Sequence, residues 1–361
     1  MIWLGYIIKY YWINEMVNLY VKYYNLYDSV NIKYVNTKNR FFQKMDLFNK
    51  DYEYFLADKI ESNPDITINI SNFSRRENGY LVENDEFLID DDYIFGNKKY
   101  KLAIFQYSIE INNSKFNINV NPNLFAGRVM HHLLLDYLIN LTLFHKGFSN
   151  LHCSGIERNH ESILISGPGG SGKSSFALYC LNKGYRLLGD DRIFLKNGEA
   201  YPFPECPGVN FDNYKYVKNI LNLNAKLNIM LNKVINIVFL NYIGMLISMK
   251  FFDVFPLRIV GKKSRVKSIL FLQPSYKFSV KSIKRDEIIN KLNINQFYED
   301  KYMHKLIFNY STIFPKNIFI NYVNSYSKQL SYNLPEDITG YIITFQKDEY
   351  NSVNRWLDDH L

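Results

Sequence analysis

A glycine-rich segment in the middle of the chain has the residue types and spacing of a phosphate-binding loop. Residues 163–180 read ILISGPGGSGKSSFALYC, in which Gly167, Gly172 and the pair Lys173-Ser174 fit G-x-x-x-x-G-K-[S/T]. Glycines let such a loop wrap closely around phosphate oxygens with its N–H groups pointing inward. The lysine reaches the β- and γ-phosphates, and the serine hydroxyl ligates Mg²⁺. The segment therefore predicts a site for nucleotide phosphates.

The residues on either side of the loop fit this interpretation. The apolar residues 163–165 predict a strand before it, and residues 174–182 predict a helix whose N-terminus adds partial positive charge. The residues assigned to nucleotide binding are Gly167, Gly169, Gly170, Ser171, Gly172, Lys173, Ser174 and Ser175. The alternative is a chance glycine loop, which the match at all fixed positions disfavours.

Two adjacent carboxylates follow the loop at a short distance along the chain. Asp190 and Asp191 lie 17 and 18 residues after Lys173, so one short helix and one short strand bring them back to the loop. Such a pair suits two tasks, since one acid holds Mg²⁺ and the other accepts a proton from an attacking hydroxyl. We assign Asp190 to the metal together with Ser174, and Asp191 to the proton. The two aspartates could also have the opposite roles, or both could have a purely structural role at the end of the strand.

Residues 151–194 resemble the catalytic core of the HPr kinase/phosphorylase family. They contain LHCSGI, ISGPGGSGKSSFAL and NKGYRLLGDDRIF, and they are more similar still to the HPr-kinase-like proteins found near peptide-modification and envelope-polymer genes. In that family the P-loop is followed by K/R-G-[H/Y]-R-L-x-x-D-D, which residues 183–191 match. The resemblance implies an α/β P-loop kinase domain of the HPr kinase C-terminal and phosphoenolpyruvate carboxykinase type. It also implies transfer of the γ-phosphoryl group of ATP, with Mg²⁺, to a serine hydroxyl of a protein or peptide.

The family's histidine ahead of the P-loop strand matches His152. On this resemblance His152 joins Lys173, Asp190 and Asp191 in the catalytic set, close to the γ-phosphate or the metal, where it would orient a carboxylate or contact transferred charge. Its other interpretation is a core histidine at the start of a strand. A homo-oligomer is a further expectation from the resemblance.

The chain also departs from the family pattern. Ser175 stands where true HPr kinases have a glutamate, and the downstream E-[I/L]-R-G-L-G-I signature of the reverse reaction is missing. Neither HPr itself as substrate nor phosphorylase activity is therefore expected. The alternatives are a non-catalytic nucleotide-binding regulatory protein, or a kinase that acts on an envelope-polymer or other small-molecule precursor. Residues 187–191 (LLGDD) also resemble the L-I-G-D-D segment that follows the P-loop in phosphoenolpyruvate carboxykinase. That enzyme's further metal and substrate motifs are not seen in this sequence.

The elements that must position these residues fall into two predicted domains after an extension at 1–15. Residues 16–148 read as a β-rich N-terminal domain, because short runs alternate apolar and polar residues between turn signals. This domain ends in a helix predicted over 124–145. Within it the spacing of His131, His132 and His145 does not predict a metal site. Residues 149–361 form the P-loop domain.

Composition narrows the class of protein. The 361 residues are 47% hydrophobic and 22% charged, which excludes a disordered or fibrous chain. Three scattered cysteines exclude a disulfide framework and indicate a reducing, cytoplasmic setting. The net charge of +8 is dispersed, so no nucleic-acid partner is expected. Residues 234–249 contain 16 uncharged residues, fewer than the ~20 that span a bilayer, and predict a buried element, with membrane contact as the alternative.

Overall fold

The computed structural model describes residues 19–38, 48–205, 213–221, 223–238, 251–299, 301–346 and 349–360. The extension at 1–15 and residues 239–249 of the uncharged segment lie outside them. The chain is a mixed α/β protein with two large mixed sheets. It divides into two compact units, Met1–Thr142 with Lys305–Ile318, and Leu143–His304 with Phe319–Leu361. The domain boundaries at 15/16 and 148/149 stay predictions.

The first unit is built on a nine-stranded sheet. Its strands are β1 (Tyr20–Leu26), β2 (Val30–Asn36), β3 (Leu56–Ala57), β4 (Ile66–Ile70), β5 (Tyr80–Val82), β6 (Phe87–Asp90), β7 (Tyr93–Tyr100), β8 (Ala103–Asn112) and β9 (Lys115–Pro122). Their order is β3-β1-β2-β4-β9-β8-β7-β6-β5, with β4 parallel to both of its neighbours. Alternation explains these strands, since Ile66, Ile68 and Ile70 are buried while Thr67 and Asn69 between them are half-buried.

The second unit contains the other nine-stranded sheet. Its strands are β10 (Ser149–Leu151), β11 (Ser154–Arg158), β12 (Glu161–Ser166), β13 (Arg186–Gly189), β14 (Ile193–Lys196), β15 (Glu199–Tyr201), β16 (Ser264–Pro274), β17 (Ser279–Ile283) and β18 (Thr339–Phe345). The order is β10-β14-β15-β16-β12-β11-β13, with β18 beside β16 and β17 beside β18. β12, β16 and β18 are parallel to one another, so their carboxyl ends meet at one edge of the sheet.

The helices complete both units. They are α1 (Phe48–Asp51), α2 (Gly127–Met130), α3 (Asp136–His145), α4 (Lys173–Leu181), α5 (Tyr214–Val217), α6 (Leu223–Val238), α7 (Phe251–Val254), α8 (Arg285–Glu299), α9 (Lys301–Ile313), α10 (Ile318–Asn333) and α11 (Tyr350–His360). Short 3-10 turns lie at Glu53–Phe55 and Leu257–Ile259, and a π turn at His131–Leu135 joins α2 to α3. The helix predicted over 124–145 therefore begins at Gly127 and is interrupted by a π turn.

The core of the second unit lies where α4 packs on the sheet. Phe176, Ala177 and Cys180 of α4 are buried in the same cluster as Ile165 of β12 and Leu270 of β16. Burial of these apolar side chains holds the first turn of α4 against the carboxyl ends of the strands. The loop between β12 and α4 is thereby held at that edge.

The uncharged segment at 234–249 is described only in part, because α6 ends at Val238. Across the described ranges, every helix is too short or too polar to cross a bilayer.

Candidate functional site

The glycine loop connects β12 to α4 at the edge where the parallel strands end. Gly167 follows directly after β12 with φ +151°, and a Cβ built on it would lie 2.7 Å from the carbonyl oxygen of Leu272 in β16. Any side chain at Gly167 would therefore push the loop away from the neighbouring strand. This position requires glycine because the loop passes close to the backbone of β16.

The tip of the loop is exposed, whereas Ser171 and Lys173 after it are buried. Pro168, Gly169 and Gly170 are exposed, and a Cβ on either glycine would meet nothing within 4 Å. Ser171 and Lys173 are buried, and the Lys173 Nζ donates a hydrogen bond to the carbonyl oxygen of Gly167 at 2.9 Å. The ammonium group of Lys173 is thus held at the start of the loop, close to the N-terminus of α4, where an anion is favoured.

Gly172 adopts a left-handed conformation immediately before α4. Its φ is +92°, and a Cβ would lie 2.6 Å from the Oη of Tyr350, which donates a hydrogen bond to the Gly172 carbonyl oxygen at 3.4 Å. The Tyr350 ring cannot yield easily, because it is 2% exposed and packs against Phe176 and Phe345 with centroid separations of 5.3 and 5.5 Å. Gly172 thus joins the loop to the first residue of α11.

We expect Gly172→Ala to lower the free energy of unfolding by about 2 kcal/mol. Alanine is strained in the left-handed conformation, and its Cβ would also clash with the Tyr350 hydroxyl. The matched control is Gly184→Ala, since Gly184 has φ +84° but a Cβ there meets nothing within 4 Å. The control should lose only about 1 kcal/mol. Urea unfolding of both variants measures the difference, and equal losses would remove Tyr350 from the explanation.

Strand register brings the two carboxylates back to the loop. β11 is antiparallel to both β12 and β13, so β12 and β13 run in the same direction and end at the same edge. Ser154 pairs with Ile165, and Gly155 pairs with Gly189, which precedes the acid pair. The chain therefore leaves β13 beside the point where the loop begins.

Asp190 lies inside the protein and is tied to the loop. It is 3% exposed, its carboxylate accepts a hydrogen bond from the Ser154 hydroxyl, and the Ser174 hydroxyl beside it also favours the charged form. Burial and the neighbouring charge of Asp191 raise the pKa of Asp190 to about 7, against the opposing effect of the two hydroxyls. A carboxylate with this pKa gains stability from a cation placed beside it.

The Asp191 side chain is exposed to solvent, unlike that of the buried Asp190. The Asp191 φ of +62° lies in the left-handed region, which Asp tolerates better than most residues. The next residue anchors the turn, because the buried Arg192 guanidinium donates to Glu205 Oε2 at 2.8 Å and lies 4.4 Å from the centre of the Phe203 ring. The same turn thus supplies one buried and one accessible carboxylate.

His152 lies in the turn between β10 and β11, two residues before Ser154. It is half-buried, and its carbonyl oxygen accepts a hydrogen bond from Asn295 Nδ2 at 2.8 Å. The same amide lies 3.4 Å from the Oγ of Ser166, the last residue before the loop. Asn295, on α8, therefore connects the backbone at His152 to the start of the loop.

The structure brings most of the sequence-assigned residues to one place. Ser174 lies beside Asp190, Lys173 contacts Gly167, and Asp191 adjoins Asp190. Ser174 and Asp190 offer the hydroxyl and carboxylate oxygens that Mg²⁺ accepts as ligands, so these residues fit that ion. Gly169 and Gly170 lie at the tip of the loop, and His152 lies in the turn between β10 and β11. Ser175 lies in the first turn of α4.

Sequence reasoning missed four residues that shape this site. Ser154 and Asn295 contact Asp190 and the loop strand respectively, Tyr350 contacts Gly172, and Arg192 anchors the acid turn. Arg192 directly follows the acid pair, yet the sequence does not show its partner Glu205. The other three come from other elements, and only strand register or helix packing reveals them.

Comparisons with known proteins add little to this picture. No protein-family model matches the chain, and no curated protein matches its sequence. Among solved structures, the HPr(Ser) kinase/phosphatase from Coxiella burnetii is similar to 58% of this chain and 94% of its own, with 13% identity and a TM-score of 0.26. A similarity this distant says nothing about activity, which has to come from the residues of this chain.

Proposed function

We propose that the protein is an ATP-dependent phosphotransferase that moves the γ-phosphoryl group to a hydroxyl. The observation that supports this most is the placement of the Ser174 hydroxyl, in the first turn of α4, beside the buried Asp190 carboxylate. Loop hydroxyl and returning carboxylate together form an oxygen pair suited to Mg²⁺ beside a buried lysine. Bound Mg²⁺ supplies charge neutralisation at the phosphate oxygens.

Each residue of the chain has a distinct task in this proposal. The loop backbone and Lys173 bind the phosphates and stabilise the negative charge that spreads over the transferred group. Asp191 takes the proton from the acceptor hydroxyl as its oxygen forms the new bond to phosphorus. The bond from that phosphorus to the ADP oxygen breaks, and ADP leaves with the bonding electrons. His152, in the turn before β11, orients a carboxylate or contacts the transferred charge.

We propose a serine of a protein or peptide as the acceptor, in a reducing, cytoplasmic setting. The exposed Asp191 carboxylate is accessible to a hydroxyl on a macromolecule. A small-molecule precursor is the other acceptor class, and the size of the labelled product separates the two.

The proposal predicts transfer of label from γ-labelled ATP to an acceptor in host lysate. Purified wild type with Mg²⁺ should label a protein band or small molecule, while Asp191→Asn should label it about 10²-fold more slowly because the proton acceptor is lost. The matched control is Asp359→Asn, which removes an exposed carboxylate at the end of α11. Labelling is measured by gel autoradiography and thin-layer chromatography.

Three outcomes decide the proposal. Label from γ-labelled but not α-labelled ATP supports phosphoryl transfer. Equal rates in wild type and Asp191→Asn would remove Asp191 from its role. Tight ATP binding with neither acceptor labelling nor hydrolysis would contradict the proposal and favour a nucleotide-binding regulatory protein.

A further inference from the structure

A second group of polar side chains lies in the first unit. His131, His132 and Asp136 each offer a ligand atom, and these atoms all lie within 4.8 Å of one another. His131 Nε2 is 3.5 Å from Asp136 Oδ1, and His132 Nδ1 is 3.1 Å from Asp136 Oδ2. In the part of the chain that the structure describes, these three residues form the one cluster of His, Cys, Asp or Glu side chains whose spacing suits a metal ion.

The π turn between α2 and α3 explains why these three residues converge. The Asp136 backbone N–H donates to the His131 carbonyl oxygen, an i to i+5 hydrogen bond that is characteristic of a π turn. The π turn therefore brings Asp136 next to His131. Asp136 also follows His132 by four residues, the spacing at which side chains on a helix are neighbours. A single carboxylate thus contacts both imidazoles. Such insertions are frequent at functional sites.

A second carboxylate lies on the other side of the His131 ring. Asp51 Oδ2 is 3.4 Å from His131 Nδ1, the nitrogen that faces away from Asp136. The Tyr52 hydroxyl donates to Asp136 Oδ1 at 3.0 Å. Metal-binding histidines usually have this arrangement, because a carboxylate on one ring nitrogen sets the tautomer and leaves the other nitrogen free to bind a metal.

The surroundings protect the buried part of the group and leave one side open. His131 is 0% exposed, and the Phe48 and Tyr52 rings contact it edge-on, each at a centroid separation of 5.6 Å. The His132 side chain is 40% exposed. An ion could therefore enter past His132 and be shielded from water by the aromatic rings on the other side.

We propose that His131 Nε2, His132 Nδ1 and Asp136 bind a divalent transition-metal ion of the Zn²⁺ class, with Asp51 as a positioning residue. Bonds of ~2.1 Å in tetrahedral geometry separate neighbouring ligand atoms by ~3.4 Å. His131 Nε2 lies 3.5 Å from Asp136 Oδ1 and His132 Nδ1 lies 3.1 Å from Asp136 Oδ2, each close to this value, and one ligand atom from each of the three residues lies within 4.8 Å of the others. Two imidazoles and one carboxylate suit this class of ion better than Mg²⁺ or Ca²⁺, which prefer oxygen ligands throughout.

The test uses the full chain, stripped with EDTA and titrated with Co²⁺ in the absence of nucleotide. Wild type should bind one equivalent with the intense visible absorption of tetrahedral Co²⁺, and Zn²⁺ should displace it. His132→Ala should weaken binding at least about 10-fold, and it should fold because the side chain is partly exposed. His145→Ala, an exposed histidine on α3, is the matched control and should bind as wild type does.

Further variants locate the ion. Asp51→Asn should weaken binding about 10-fold while the Co²⁺ spectrum keeps its shape, since a positioning residue leaves the ligand set intact. Asp190→Asn should leave the tetrahedral Co²⁺ absorption unchanged, so failure of this inference is independent of the proposed kinase activity. No stoichiometric Co²⁺ binding, or equal affinity in His132→Ala and wild type, would overturn the inference and leave a buried ion-pair network. Loss of the signal in Asp190→Asn would also overturn it.

Discussion

Replacing Lys173 with alanine is expected to slow ATP turnover by about 10³-fold, because in the proposed reaction the loop loses the buried cation that stabilises the transferred phosphate. The side chain is 6% exposed, and its ammonium group bonds to the carbonyl oxygen of Gly167. A charge held in a site with little water stabilises developing negative charge more strongly than a solvated one. Steady-state ATP hydrolysis, with label transfer where an acceptor is found, measures the effect.

The fold should survive this substitution. Lys173→Ala removes one hydrogen bond to a backbone carbonyl, which costs about 1 kcal/mol of stability. Lys183→Ala is the matched control, because Lys183 is exposed just after the same helix and should leave turnover unchanged. Circular dichroism and thermal unfolding of both variants check the fold. Full activity in a folded Lys173→Ala protein would show that the phosphate site lies elsewhere.

The second large effect is expected at Asp190, where activity and stability should change in opposite directions. Asp190→Asn should reduce Mg²⁺-dependent turnover by about 10³-fold, since a neutral amide replaces the carboxylate that is paired with Ser174. The same substitution should stabilise the metal-free protein above pH 7. A merely structural role for Asp190 predicts loss of stability instead.

The direction of the stability effect follows from the raised pKa. Burial and the charge of Asp191 raise the pKa of the Asp190 carboxyl from its ordinary value of 3.8 to about 7 in the folded protein. Between pH 4 and 7 the folded protein keeps a proton that the unfolded chain has lost, so the free energy of unfolding falls as pH rises through this window and stays lower above it. Asparagine has no such proton to lose.

Thermal unfolding in EDTA at pH 5 and pH 8 measures this difference. At pH 8 the Asp190→Asn protein should unfold at least about 3 °C above wild type, and the gap should shrink at pH 5, where Asp190 is protonated. Ser154→Ala is a useful companion, because it removes one hydroxyl that favours the charged form and should raise the pKa further. A lower melting temperature for Asp190→Asn at pH 8 would contradict the explanation.

The sequence predicts local structure better than contacts between distant parts of the chain. The α/β class follows from apolar alternation and the strand-loop-helix pattern, and the structure has β12 and α4 on either side of the glycine loop as predicted. These features depend on residues that are near neighbours in the chain, where spacing alone predicts which side chains share a face. The π turn at His131–Leu135 was not predicted, since helical periodicity does not reveal one inserted residue.

The order of the two aspartates shows the limit of sequence reasoning. Asp190 and Asp191 are chemically identical and adjacent, so the sequence leaves their roles open. The left-handed backbone at Asp191 turns one carboxylate inward to Ser154 and Ser174 and leaves the other exposed. The assignment of Asp190 to the metal and Asp191 to the proton stays a prediction, which the two variants test.

The sequence by itself determined the chemistry that this protein can bring together: a glycine loop, a lysine, a hydroxyl and two returning acids. Only the tertiary structure decided which further groups surround them, because Ser154, Asn295 and Tyr350 approach the site through strand register and helix packing across long stretches of chain. It also decided that His131 and His132 share a carboxylate. The spacing of residues along the chain predicts contacts between near neighbours. The burial and charge state of Asp190 depend instead on every element that packs around it.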